Sequence, residues 1–301
     1  MKLILPARPP FALSSVVRSH GWIRLDPFRE EESTGGLAYI AQLGSGQVIE
    51  LNIQEVPGGV SVSLDSNLND GERAEIERSV TWMLGLDQDF STFYQLARQE
   101  PRLASAVQRA QGRILRSPTL FEDVIKTILT TNTLWAATIR MNNNLVTQFG
   151  APLHAPLRAP LLADPTHRAF PSPERLADTN EETLRAQTRL GYRAPYVLEL
   201  ARKVSSGELD LEALKTAGLP TLDLRKRLLA IKGIGDYAAA NLLMLLGHYD
   251  FVPVDSWALK TVSQEWYSGE PVGRAEVEAA FEPWGAYKGL AYWLWDWSKE
   301  G

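Results

Sequence analysis

Two stretches of this 301-residue chain combine residue types that can do chemistry. The first, from Leu228, reads Leu-Leu-Ala-Ile-Lys-Gly-Ile-Gly-Asp-Tyr-Ala-Ala-Ala-Asn and runs on in apolar residues to Gly247. Gly233 and Gly235 permit a tight turn and let the backbone approach a ligand closely. The helix that follows presents unpaired N–H groups and the positive end of its dipole, which suits a phosphate. Such backbone contact positions a polyanion without reading its sequence. Taken alone, the same pattern also describes a plain helix–turn–helix corner. The second stretch, Phe251-Val252-Pro253-Val254-Asp255-Ser256-Trp257-Ala258-Leu259-Lys260, sets one carboxylate about a helix length after the turn and just before another helix. Asp255 is well suited to cap that helix. A carboxylate so placed can also stabilise a developing positive charge or take a proton from water, and the two roles are compatible.

Other chemistries are excluded by composition. There is no cysteine, so disulfides, thiolate nucleophiles, Cys-bound zinc and an iron–sulfur cluster are all ruled out. The four histidines, His20, His154, His167 and His248, are too scattered for a metal triad, and no catalytic metal is expected. The opening Met-Lys-Leu-Ile-Leu-Pro breaks its apolar run at Pro6, unlike a signal peptide, and no apolar stretch reaches membrane-spanning length. A soluble, cytoplasmic protein with no membrane partner is expected. The formal charge of −5 hides local basic runs. Arg102, Arg109, Arg113 and Arg116 lie between Pro101 and Ser117 without an acid; Arg185, Arg189, Arg193, Arg202 and Lys203 are opposed by Glu199 alone. Arg225, Lys226, Arg227 and Lys232 lead into the glycine turn. A local basic face is what phosphate binding needs, whatever the total charge; solvated helix faces are the alternative.

The elements that must position these residues are a sheet and then helices. The first 65 residues read as β-rich: Ile49, Leu51 and Ile53 alternate with polar residues, as do Val60, Val62 and Leu64, around Pro57-Gly58-Gly59. That is a hairpin of half-buried antiparallel strands. From Asn69-Asp70 onward the pattern is helical, opening on an N-cap type of residue. Ser117-Pro118 and Ser172-Pro173 each set a cap before a proline at the first helical position. Residues 151–173 hold six prolines with His154 and His167, and read as a long irregular connection. The predicted fold is α+β: an N-terminal antiparallel-sheet domain over residues 1–85, then a larger all-helical domain over 86–301.

With the Gly-Ile-Gly turn and the Val-Pro-x-Asp segment in this order, the chain resembles the helix-hairpin-helix (HhH-GPD) superfamily of DNA glycosylases. Further segments extend the resemblance. Leu120 to Gly150, with Ile128-Leu129-Thr130-Thr131-Asn132, is similar to the family's helix–wedge–helix. Phe170-Pro171-Ser172-Pro173-Glu174-Arg175-Leu176-Ala177 is similar to its Phe-Pro-x-Pro-x-x-Leu-Ala element. Leu190-Gly191-Tyr192-Arg193-Ala194 resembles the 8-oxoguanine branch, and Pro283-Trp284 with Tyr287 to Trp293 the C-terminal helix of the alkylated-purine (3-methyladenine DNA glycosylase II) branch. The resemblance implies two helical subdomains with the active-site cleft between them.

What the resemblance implies for function is a base excision repair glycosylase acting on double-stranded DNA with a damaged base. Asp255 would be its essential carboxylate. Tyr237 stands where bifunctional members carry a lysine nucleophile, and a phenol cannot form a Schiff base, so hydrolysis without AP-lyase activity is expected. Tyr237, Trp293 and Trp257 are expected around the flipped base, where electron-rich rings attract an N-alkylated, cationic purine. Six of the nine tryptophans fall between Trp257 and Trp297, so core packing competes with that role. Asn132 would fill the gap left by the base and Tyr192 would prop the opened duplex, against plainer roles as a helix C-cap and a half-buried tyrosine. Lys232, Gly233, Ile234, Gly235 and Arg193 would grip the DNA backbone. No cofactor is expected beyond a monovalent cation that hairpin carbonyls are able to hold. The protein is expected to be a monomer, near the nucleoid if bacterial. The alternatives are an 8-oxoguanine-type glycosylase, favoured by Gly191-Tyr192-Arg193, and a non-catalytic DNA-binding protein that keeps the hairpin as a clamp.

Overall fold

The structure is a computed structural model that describes residues 1–31, 34–153 and 167–297. Five strands fall inside the first 65 residues: β1 Lys2–Pro6, β2 Phe28–Glu31, β3 Gly36–Gln42, β4 Val48–Val56 and β5 Gly59–Ser63. They form one antiparallel sheet in the order β1-β5-β4-β3-β2. The hairpin around Pro57-Gly58-Gly59 is present, with Val56 opposite Gly59 and Ile53 opposite Val62. Ile49, Leu51, Ile53, Val60 and Val62 are all buried, as their alternation requires. Between β1 and β2, where no alternation exists, the chain instead makes a short helix, Leu13–Val17, and a 3-10 turn, Gly21–Arg24.

Helices follow from residue 70. Asn69 opens Asp70–Leu84 with a full capping box: its side chain accepts from the Glu72 amide while the Glu72 carboxylate accepts from the Asn69 amide. Ser172 caps Pro173–Ala177, accepting from the Arg175 amide. The start expected at Ser117-Pro118 lies two residues further on. Thr119 caps Leu120–Thr130, its hydroxyl accepting from the Glu122 amide, while the Ser117 amide donates to Asp123 Oδ1 at 2.9 Å. Of the connection expected over 151–173, residues 154–166, including His154, lie outside the described residues; its ends pair through Leu153 N to His167 O and Ala169 N to Ala151 O.

The chain divides into two compact units, 1–88 with 113–217 and 231–233, and 89–112 with 218–230 and 234–301. In the first unit the sheet packs on Leu120–Thr130, whose residues from Leu120 to Leu129 are all buried. Four of them are polar or charged, and three of these are tied to the sheet domain or to one another. The Tyr39 hydroxyl donates to Glu122 at 2.7 Å, Lys126 donates to the same carboxylate at 2.6 Å, and the Trp22 indole donates to Asp123 at 2.8 Å. Lys126 also lies 4.4 Å from the centre of the Phe28 ring. The second unit is helical, and its core is aromatic: Phe281 packs edge-on against Tyr292 and Trp295 with ring centres 5.4 and 5.5 Å apart. Among the described residues no helix is long and apolar enough to cross a membrane.

Candidate active site

The glycine turn joins helix Thr221–Leu229 to helix Asp236–Leu245. Its two glycines are different in kind. Gly233 has φ +92°, and a Cβ there would stand 2.8 Å from Cδ2 of Tyr196, so glycine is required by the fold itself. Gly235 has an extended backbone, φ −100° and ψ −172°, and no heavy atom lies within 4 Å of where its Cβ would be. Nothing in the protein demands glycine at 235; the open space faces solvent ahead of the helix amides. Ile234 between them is buried and anchors the turn. Lys232 pairs with Glu199 at 3.1 Å, and its ammonium lies 5.8 Å from the centre of the Tyr196 ring.

Asp255 caps helix Ser256–Trp266, its Oδ1 accepting from the Ala258 amide at 2.8 Å. That bond fixes the carboxylate and leaves its second oxygen available. The side chain opens on a cavity of about 310 Å³ within the second unit. The cavity brings together Tyr237, the neighbouring pair Asp255 and Trp257, and Trp293, from three separate segments of the chain. Tyr237 is 59% exposed, Trp257 47% and Trp293 38%, so their rings are spread around an open mouth rather than packed in a core. Helix Asp236–Leu245 supplies one wall from Tyr237, Ala240, Asn241 and Met244, which share a face by helical spacing. Helix Lys288–Leu294 supplies the opposite wall. It approaches the chain at Tyr249–Phe251 because residue 289 has no side chain: its amide donates to the Tyr249 carbonyl at 2.7 Å, and a Cβ would overlap the carbonyl oxygen of Phe251.

Three further aromatics, Phe251, Tyr292 and Trp297, line this space without having been expected there. Tyr292 is buried and meets Trp257 edge-on at 5.8 Å, and Trp297 meets Trp257 at 5.1 Å. Burial, and after it the negative charge of Asp255, push the Tyr292 phenol up from its ordinary value. Its position directly before Trp293 was visible, but which of the two rings would face inward depends on how the helix docks.

The first unit holds the other group. Thr131, at the end of Leu120–Thr130, is the centre: its carbonyl accepts from the Arg193 guanidinium and, at 3.4 Å, from the Tyr192 hydroxyl. Asn132 follows with φ +45°, a left-handed conformation to which asparagine is suited. Asn132 and Tyr192 thus sit on either side of one clamped carbonyl, and both are exposed. Arg193, expected at the DNA backbone, is placed differently from the other residues of that group. It is buried, donates from one guanidinium nitrogen to the Thr131 carbonyl and lies 4.4 Å from the centre of the Tyr192 ring, so it braces the turn, while its buried Nε has no partner among the described residues. Three of the four arginines in the run before Ser117 are likewise engaged within the fold. Arg113 is buried and donates to the carbonyls of Gly85, Pro10, Arg8 and Gln88; Arg116 is buried over Trp82; Arg102 pairs with Glu265. A residue not anticipated is Leu134, 81% exposed at the start of helix Trp135–Phe149. Its neighbour Trp135 lies against Gly21, in the space a Cβ there would occupy.

Comparison with known proteins accords with this geometry. The profile of the HhH-GPD superfamily of base excision DNA repair proteins matches residues 125–286, more than half of the chain. A DNA-3-methyladenine glycosylase of Bacillus subtilis is 27% identical over 206 residues, 64% of this chain and 65% of that protein. An N-glycosylase/DNA lyase of Saccharomyces cerevisiae is 23% identical over 213 residues, 60% of this chain and 55% of that one. The chain thus spans less than two thirds of the length of the curated relatives it matches. The solved structure of MBOgg1 in complex with a low-affinity DNA ligand superposes with a TM-score of 0.72, at 25% identity, over 98% of this chain and 94% of the other. The matched segment includes the Thr131–Asn132 turn, the glycine hairpin and Asp255, and the chain belongs to the HhH-GPD superfamily of base excision DNA repair proteins.

Proposed function

We propose that this protein is a monofunctional DNA glycosylase that takes a damaged, alkylated purine out of duplex DNA and hydrolyses its N-glycosidic bond. One observation carries the reading: a fixed carboxylate, Asp255, opens on a cavity whose mouth is ringed by the half-exposed Tyr237, Trp257 and Trp293. Bond cleavage passes through an oxocarbenium-like sugar, and a carboxylate beside the anomeric carbon stabilises that charge and orients the attacking water. A ring-alkylated purine is itself cationic, is attracted by electron-rich ring faces and leaves as a neutral base. No proton donor is then needed on the leaving-group side. The extruded base costs a few kcal/mol of stacking, which gap filling by Asn132 and Tyr192 offsets. The amides behind Gly235 hold the backbone.

The relatives are named for both alkylated-purine and lyase activities, and an 8-oxoguanine-type enzyme is the second reading. It is favoured by the Tyr192–Arg193 arrangement on Thr131. Against it, no lysine lines the cavity among the described residues, and Tyr237 cannot form a Schiff base.

The test is release of base from duplexes carrying single lesions, read by alkaline cleavage at the abasic site. Alkylated purines should be released, and Asp255→Asn should lower the rate about 10²–10³-fold while duplex binding is kept. Borohydride should trap no covalent adduct. Preferred release of 8-oxoguanine supports the second reading, and duplex binding with no release at all leaves a non-catalytic clamp.

A further inference from the structure

Most of the cavity wall consists of rings and apolar carbons, which any flat base can stack on. Asn241 is different. On the wall formed by helix Asp236–Leu245 it lies at the spacing i, i+3, i+4, i+7 with Tyr237, Ala240 and Met244, and it alone of the four carries an amide. Its Nδ2 donates to the carbonyl oxygen of Tyr237, one turn back, at 3.0 Å. The reverse orientation would set two carbonyl oxygens against each other, so the backbone dictates which way the amide points. One of its two N–H donors is thereby used inside the helix, and that bond fixes the side on which the carbonyl oxygen lies. The carbonyl Oδ1, with no protein donor among the described residues, is the acceptor that this fixed orientation offers to the cavity.

We infer that Asn241 is a specificity residue whose Oδ1 accepts a hydrogen bond from an N–H on the edge of the extruded base, so that the cavity selects amino-bearing cationic purines over bases of the same shape that lack the amine. The inference rests on the glycosylase reading of the cavity and names its substrate class more closely. The positive charge of an alkylated purine strengthens its exocyclic amine as a donor, giving a charge-assisted bond. A base without that amine leaves Oδ1 unpaired where the occupying base has displaced water, and a site built around a hydrogen bond discriminates sharply for that reason. Asp255, the carboxylate among the lining residues, already holds the Ala258 amide and is set toward the sugar in the proposed reaction.

The experiment compares release from two pairs of duplexes, 7-methylguanine against 7-methylhypoxanthine and 3-methyladenine against 3-methylpurine, each pair differing by one exocyclic amine. Wild type is expected to favour the amino-bearing member of at least one pair by roughly 10- to 100-fold. Asn241→Leu should bring that preference down about tenfold or more, and Asn241→Asp, which still carries an acceptor but loses the orienting bond to the Tyr237 carbonyl, should keep more of it than leucine does. The measure is a ratio within one protein, so partial unfolding of a variant cancels. The different cost of opening each pair cancels between wild type and variant. An Asn241→Leu protein that keeps the wild-type ratios, or a wild type that shows no preference in either pair, overturns the assignment. Wild-type protein that releases none of the four bases overturns the glycosylase reading beneath it.

Discussion

The two glycines of the hairpin should respond to a methyl group in opposite ways. Alanine at 233 has to hold φ +92° with its Cβ 2.8 Å from the Tyr196 ring. The left-handed backbone costs about 1–2 kcal/mol for a residue with a Cβ. Displacing Tyr196, whose own Cβ would be 3.2 Å away, adds to it, and a total of about 2–3 kcal/mol follows. At roughly 2–4 °C per kcal/mol for a protein of this size class, Gly233→Ala should melt some 5–10 °C below wild type. Alanine at 235 meets no atom within 4 Å and keeps an ordinary φ of −100°. Its gain from a less flexible unfolded chain, about 0.4–1 kcal/mol, is offset by the poorer cap it makes, so stability should stay within about 1 kcal/mol of wild type. The methyl would instead stand in front of the helix amides, where a phosphate oxygen has to come within hydrogen-bond distance. Duplex affinity should fall about tenfold, the equivalent of ~1.4 kcal/mol. Thermal melting by circular dichroism and anisotropy titration with an undamaged duplex at one fixed salt concentration separate the two effects. A Gly235→Ala protein that melts as low as Gly233→Ala, or that binds duplex as tightly as wild type, refutes the division of labour.

Three other substitutions probe separate links. At Asp255, asparagine still accepts from the Ala258 amide but alanine does not. Asp255→Ala should therefore be about 1 kcal/mol less stable than Asp255→Asn in urea titrations, although both lose base release. Leu134→Ala should leave stability within about 0.5 kcal/mol, because the side chain is 81% exposed. If Leu134 enters the base stack, single-turnover release should slow more from a fully paired duplex than from one with the lesion in a mismatch, where less stacking must be broken; equal slowing on both would reject that role. The third is a pH effect. Burial raises the Asp123 carboxyl to about 6, with hydrogen bonds from Ser117 and Trp22 pulling the other way, and its Oδ2 has no partner. The folded protein then binds more protons than the unfolded chain between about pH 4 and 6, so this group's contribution falls as pH rises through that window, by ~3 kcal/mol in all. His20 runs the opposite way: burial lowers it to about 4, and its contribution is lost as pH falls from 6.5. Asp123→Asn should leave the His20 trend unopposed, and its stability relative to wild type should grow by ~3 kcal/mol between pH 4 and 7. A difference that stays flat across that range rejects the buried, ionisable Asp123.

What could be read from the chain was whatever is decided within a turn or two of backbone. The β4–β5 hairpin, the Asn69 and Ser172 caps and the glycine turn with the helix after it follow from spacings of a few residues. Asp255 belongs with them, since a cap and a carboxylate at a helix start are one local fact. Charge counting failed because it treats every arginine as a surface group. A guanidinium has five donors, and the folds around Arg113 and Arg193 offer carbonyls that only tertiary contact brings near: Gly85, Pro10, Arg8 and Gln88 for one, Thr131 for the other. Those donors would cost more unpaired and buried than the hydrogen bonds contribute, so the runs that looked most like a phosphate face are partly the interior scaffold. The cavity shows the same limit from the other side. Tyr292 and Trp297 line it because helix Lys288–Leu294 lies close to Tyr249–Phe251, and that approach depends on a missing Cβ at residue 289, which reads in sequence as one more glycine. A side chain at that position should therefore disturb the aromatic wall of the cavity while leaving the Asp255 cap, which is local, intact.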